Sequence, residues 1–191
     1  MIKKHAQNYL EQLIGSLDRI PLDKIEDIVG VLKKAYREGR HVFIMGNGGS
    51  AATASHFVCD LSKGTMVSGR KRFKVTGLVD NVPLMTAFSN DISYADIFKA
   101  QLENLVEKGD IVIVFTGSGN SENILNAVKY ANRTGAVTVG FTGFDGGKLK
   151  KLAKIALLAP SNNMERVEDI HLVLEHLIKL FLFEEIKSGR V

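Results

Sequence analysis

Tryptophan is absent from the 191 residues, cysteine occurs once, at Cys59, and proline only three times. A single thiol makes no internal disulfide, and without a cysteine cluster there is no thiolate-bound structural zinc. The densest basic piece, Gly69 to Lys74, carries Arg70, Lys71, Arg72 and Lys74. That is too short a footprint for a nucleic-acid binder that also lacks tryptophan stacking platforms, so no nucleic-acid partner is expected. There is neither an apolar leader nor a run of the ~18 to 20 apolar residues that a bilayer span requires, so a soluble, cytoplasmic protein without membrane contact is expected. No sign of charge dominates: 25 Lys and Arg face 21 Asp and Glu, and the formal +4 is spread along the chain. That is a slight bias toward anionic partners. Against these absences stand 45% hydrophobic and 24% charged residues, close to the globular average and sufficient for a sizeable core. The length fits one domain, 1–191, with residues 1–40 as a helical extension.

Those first 40 residues repeat apolar positions at steps of three and four: Tyr9, Leu13 and Leu17, then Ile25, Ile28, Val29, Leu32 and Ala35. Two helices are implied, with Pro21 at the start of the second. From residue 41 the pattern changes to short apolar runs that end in Gly, Ser, Thr or Asn, most of them followed by helix-length segments. The runs are His41 to Met45, Lys74 to Val79, Ile111 to Phe115, Ala136 to Phe141 and Ile155 to Ala159. Runs this uniformly apolar are buried on both faces. The fold class is therefore α/β, a three-layer sandwich with a five-stranded parallel sheet between helices. A long last helix, Met164 to about Lys187, starts near Ser161 and Asn162 and stops at Gly189.

The first strand runs into GNGGS, residues 46–50, at the head of a helical segment. Glycines at such a turn let backbone N–H groups approach an anion, and the helix N-terminus and Ser50 add to the attraction. The spacing is neither the dinucleotide fingerprint nor a Walker motif; alone, the turn reads equally as a capped tight turn. The third strand enters TGSGNS, residues 116–121, where Thr116, Ser118 and Ser121 present hydroxyls at a second helix start. Two such turns at the carboxyl edge of one parallel sheet form a ligand site. Neutral donors without an adenine, ribose or Mg²⁺ motif suit a sugar phosphate better than a nucleotide. A third turn, TGFDGG, residues 142–147, is poorer in hydroxyls and reads as structural.

His56 and Asp60 stand at i and i+4 on the helix after the first turn, so they share one face. The spacing suits metal ligation or acid–base work; the alternative is a surface pair near a helix start. The last helix carries Glu168, Asp169, His171, Glu175 and His176. Glu168 and His176 lie on one stripe and His171 pairs with Glu175, while a solvated face accounts for much of the run, His171 included.

Together GNGGSAATASHF, SNDISYADIF, TGSGNS, TGFDGG and RVEDIHLVLEH resemble the sugar isomerase domain family, and within it the phosphoheptose isomerases, over nearly the whole chain. The resemblance implies phosphate held by Thr116, Gly117, Ser118 and Ser121, and sugar contacts from Asn47, Gly48 and Gly49. Asn90 and Asp91 correspond to the family's Asn-Asp pair. It implies a divalent metal, zinc in most members, on His56, Asp60, Glu168 and His176, with Glu168 also facing substrate. Asp60 is then the base and His176 the acid of an aldose–ketose isomerisation, in a homotetramer with sites at subunit interfaces. Three departures are visible. Gly117 stands where the family loop has a threonine, Asp60 where it has Glu, and Glu168 where it has Gln. Residues 168 and 176 are also about 12 Å apart along one straight helix, so sharing an ion requires extended side chains, a bend, or a second subunit. Loss of the family glutamate leaves a rival: a non-catalytic member that binds phosphosugars or a replication initiator.

Overall fold

The computed structural model describes residues 1–191. Five strands, β1 (His41–Gly46), β2 (Lys74–Gly77), β3 (Ile111–Phe115), β4 (Val137–Thr142) and β5 (Ile155–Leu158), pair in parallel in the order β2-β1-β3-β4-β5. Chain direction across the sheet reverses between β1 and β3, the switch point where open α/β sheets bind ligands. Their register, from Val42 against Ile111 to Gly46 against Phe115, makes the two strands end level. The glycine turn and the hydroxyl turn therefore leave the sheet side by side.

Alternation along the strands divides the core into two layers. Ile44, Ile113, Phe115 and Phe141 point to the face covered by α2 (Leu22–Glu38), α3 (Gly49–Cys59) and α8 (Met164–Ser188), which contribute Ile28 and Leu32, Phe57, and Ile170, Leu174 and Ile178. Phe43, Met45, Val112 and Val114 point the other way, onto α5 (Ile97–Leu105) and α6 (Glu122–Thr134) and onto Leu149, which opens the single turn α7 (Leu149–Leu152). Each fully buried Leu, Ile or Phe contributes about 1.5–3 kcal/mol relative to exposure. The expected three-layer α/β architecture is the one found.

Strand limits shift by a residue or two. The expected strand Lys74 to Val79 ends at Gly77, because the chain turns there and Asp80 folds back over Gly77 to accept a hydrogen bond from Ser55. Pro21 precedes α2 as expected. α8 is capped by Asn163, whose side chain accepts from the Arg166 N–H at 3.0 Å, and stops at Gly189 in the left-handed region. α1 (Ile2–Leu17) buries only Ser16 and leaves Ile2, Leu10 and Ile14 exposed. It is tied to α8 through the Tyr9 hydroxyl, which donates to Asp169 at 2.5 Å and is pushed up to about 12 by that bond.

Candidate active site

The two turns enclose a cleft of about 290 Å³ lined by Asn47, Gly48, Gly49, Ser50, Thr116, Gly117, Ser118, Ser121, Met164 and Glu168. Its shape depends on glycine. Gly48 has φ +57, and a Cβ on Gly49 would strike the Glu168 carboxylate, so α8 reaches the floor of the cleft only because position 49 has no side chain. Asn47 is locked by a reciprocal amide pair with Asn123 of α6, at 3.0 and 2.9 Å, and accepts from the Tyr94 hydroxyl at 3.0 Å. Thr116 accepts from the Gly119 N–H at 3.3 Å, whereas the Ser121 hydroxyl, at the N-cap of α6, makes no capping bond. It stays available to a ligand oxygen beside the helix N-terminus. The third turn and the start of α7 brace the second: Gly143 N–H donates to the Gly117 carbonyl at 2.9 Å and Leu149 N–H to the Gly119 carbonyl at 3.0 Å.

Farther along the seam of α3 and α8 a second group converges. At Asp60 the helix passes into a π-turn, Asp60–Gly64, a local widening common where a side chain is aimed for function. His56 Nε2 lies 3.5 Å from His176 Nε2. Glu175 Oε1 is 3.5 Å from His56 Nδ1 and 3.6 Å from His176 Nε2. One donor atom from each of His56, Asp60, Glu175 and His176 can be chosen so that all lie within 4.8 Å of one another. Asp60 Oδ2 and both Glu175 oxygens are buried without a hydrogen-bond partner. Burial first, and the nearby Asp60 carboxylate second, push the Glu175 carboxyl up to about 8, with Lys179 opposing. Buried polar atoms without partners are rare. A cation among two imidazoles and carboxylates would satisfy them, so the donor set fits a divalent transition metal.

The structure therefore brings together three of the four residues expected to share an ion: His56, Asp60 and His176. Glu168 is not in that group. Two helical turns separate it from His176, and its carboxylate lies against Gly49 in the cleft instead. Asn90 and Asp91 are exposed at the end of α4 (Val82–Asp91), bonded to each other at 2.7 Å and outside the cleft lining; Tyr94 is the residue of that segment that reaches Asn47. His171 is not on a solvated face. It is 1% exposed, packed against Phe115 and Phe141, its Nε2 lies 3.3 Å from the Thr142 carbonyl, and burial pushes it down to about 4. Asn123 and Glu175 are the participants that sequence reasoning missed. Asn123 followed the hydroxyl turn by two residues, and Glu175 carried the signal of a charged residue on the buried stripe of α8.

A parallel sheet of this order, with glycine- and hydroxyl-rich turns at its switch point and a histidine–carboxylate cluster one helix away, defines an α/β ligand-binding fold. The SIS domain model matches residues 7–143, and the chain belongs to that family. Its relatives include proteins named phosphoheptose isomerase. That of Aliarcobacter butzleri is 39% identical over 158 residues, covering 83% of this chain and 82% of its own. The probable phosphoheptose isomerase of Thermoplasma acidophilum is 37% identical over 183 residues, covering 94% and 98%. Among solved structures, a phosphoheptose isomerase from Francisella tularensis superposes with a TM-score of 0.88 at 27% identity, over 96% of both chains.

Proposed function

We propose that the protein is an aldose–ketose isomerase converting sedoheptulose 7-phosphate to D-glycero-D-manno-heptose 7-phosphate through an enediolate. The observation that carries this reading is the placement of a histidine–carboxylate cluster one short helix away from a phosphate-sized cradle. From Ser50 to His56 the helical rise is about 9 Å. An extended seven-carbon chain joined by single bonds of about 1.5 Å spans a similar distance from phosphorus to C2. With the phosphate on Thr116, Ser118, Ser121 and the loop amides, C1 and C2 then fall beside Asp60 and His176.

Asp60 removes a proton from C1 and His176 delivers one to C2, while the O1 hydroxyl proton passes to O2, so that the carbonyl moves from C2 to C1. Asn47 and Ser50 fix the sugar against the glycine turn, while Glu168, on the cleft wall, accepts from substrate hydroxyls. A divalent cation, zinc in this reading, held by His56, Asp60 and His176, supplies polarisation of the substrate's carbonyl and hydroxyl oxygens when bound. Residues 1–191 act as one SIS-type unit, in the cytoplasm where phosphorylated sugars are metabolised. Exposed apolar residues on α1 and α8 support assembly into a homotetramer. Asp60 in place of the family glutamate favours a non-catalytic phosphosugar-binding module, but two imidazoles and two carboxylates meeting in one seam support catalysis. The test is turnover of C5 to C7 ketose phosphates with and without chelator. The C7 substrate should be preferred and chelator should suppress it; no turnover of any member of the panel would defeat the reading.

A further inference from the structure

Glu175 stands apart from every other carboxylate of the chain. Its residue is 0% exposed, and neither oxygen has a hydrogen-bond partner. It sits on α8, one residue before His176 and packed into the seam with α3. The groups that face it are His56 from α3, Asp60 from the π-turn that follows α3, His176 beside it on α8, and Lys179 one turn on, whose side chain lies against Gly64. Lys179 makes no ion pair with either carboxylate at bonding distance. What Glu175 does approach is two imidazole edges, at 3.5 and 3.6 Å. Two donors each about 2.1 Å from a tetrahedral centre lie about 3.4 Å apart. The separations of His176 Nε2 from Glu175 Oε1 and from His56 Nε2, 3.6 and 3.5 Å, are those of ligands around one ion rather than of hydrogen-bonded pairs.

We infer that Glu175 is a metal ligand of this chain, completing a set of two histidines and two carboxylates with His56, Asp60 and His176, and that Glu168 is not a ligand but a substrate-facing residue of the cleft. The inference rests on the metal-dependent reading of the site and changes its composition. Two departures from the family pattern become one arrangement. Asp60, shorter by a methylene, leaves room in the seam, and Glu175 enters from the opposite helix to fill it. Glu168, two turns earlier, is held at the phosphate end by the bare backbone of Gly49. Two carboxylates neutralise a divalent ion, so the ligand set carries no net charge once loaded.

The test measures metal binding to the full-length protein without substrate. Chelator-stripped wild type, Glu175→Gln and Glu168→Gln are titrated with Zn²⁺ against a competing chelator, and with Co²⁺ followed by visible absorption. Glu175→Gln should weaken Zn²⁺ binding by about 10²-fold, as loss of a ligand should exceed the 10–100-fold typical of losing its supporting contacts. It should also change the intensity and position of the Co²⁺ bands. Glu168→Gln should bind Zn²⁺ within threefold of wild type with the same Co²⁺ spectrum, and raise KM. The metal-free Glu175→Gln protein should melt no lower than metal-free wild type, since it gives up a buried carboxyl without partners; if it does not fold, Glu175→Asp keeps the charge, shortens the reach and should shift the same bands. Retained Zn²⁺ affinity in Glu175→Gln, loss of it in Glu168→Gln, or failure of wild type to take up Zn²⁺ would each overturn the inference. Metal uptake through Glu175 without heptose phosphate turnover would instead defeat the functional reading and leave the ligand assignment standing.

Discussion

Asp60 combines a shortened side chain with a buried, partnerless oxygen, and in the proposed reaction it is the base. Asp60→Asn keeps the volume and removes the base, so kcat should fall by about 10² to 10⁴; Zn²⁺ content must be measured on the same sample, because a lost ligand would mimic a lost base. Asp60→Glu restores the family length, and improved turnover would identify Asp60 as a shortened base. Wild-type exchange of the C1 proton with solvent deuterium in Asp60→Asn would remove it from that role. His171 carries a different prediction. Burial holds it neutral, at about 4 against an ordinary 6.5. The unfolded chain therefore binds the extra proton between those values, and stability falls as pH drops from about 6.5 to 4, then levels off. The size is about 3 kcal/mol, from 2.5 pH units at about 1.4 each. His171→Phe, matched to its aromatic neighbours, should flatten that part of the melting-temperature profile; equal slopes in both proteins would refute it. His56 and Asp60 were legible from their spacing, and His176 from the resemblance to the family. Glu175 and His171 were not, because a run reading Glu-Asp-Ile-His-Leu-Val-Leu-Glu-His carries as many charges as a solvated face. Only the position of α8 over the sheet decides which of them turn inward.

Strands and helices were legible because burial on both faces leaves uniform apolar runs, and the two turns were legible because cradling an anion demands glycine and hydroxyls. How the turns pack on each other was not, since it depends on contacts between residues far apart in the chain. Gly117 and Gly119, two residues apart in one loop, make the difference testable. A Cβ on Gly117 would press on Met164 Sδ and Cε, the far end of a flexible side chain, and would otherwise touch the Phe144 ring at ordinary contact distance. Gly119 has φ +64, and its Cβ would meet the backbone carbonyl of Gly146 in the third turn. Gly117→Ser should therefore cost less than about 1 kcal/mol and, by supplying the hydroxyl the family loop carries, lower KM for the phosphosugar. Gly119→Ala should cost about 2–4 kcal/mol, from left-handed backbone strain plus displacement of a neighbouring loop. At about 2–4 °C per kcal/mol for a chain of this size, thermal melts separate the two outcomes. Equal losses would mean that the third turn does not brace the second.

At the scale of the whole molecule the unbalanced feature is α1 and the outer face of α8. Ile2, Leu10 and Ile14 on the first, and Val173, Leu177, Leu180 and Phe181 on the second, are all at least 41% exposed. The consecutive Phe181, Leu182 and Phe183 pointed to this from the sequence, since three successive helical residues span about 200° and cannot share one core. In the fold Leu182 is buried and Phe181 is 43% exposed. On α8, Val173, Leu177, Leu180 and Phe181 line one shared patch, a feature of interaction sites, and a second copy of the chain is the occupant that the proposed tetramer supplies. His176 borders the same exposed face as Leu177 and Phe181, so assembly would also exclude water from the outer side of the histidine cluster. Sedimentation at micromolar concentration should therefore give an oligomer, and Leu177→Glu with Phe181→Glu should give monomers that keep their far-ultraviolet dichroism. If burial by the partner matters to the cluster, those monomers should lose kcat by tenfold or more while still binding free phosphate at the hydroxyl turn. A wild-type monomer at that concentration would contradict the assembly, and fully active monomers of the variant would place the whole reaction within one chain.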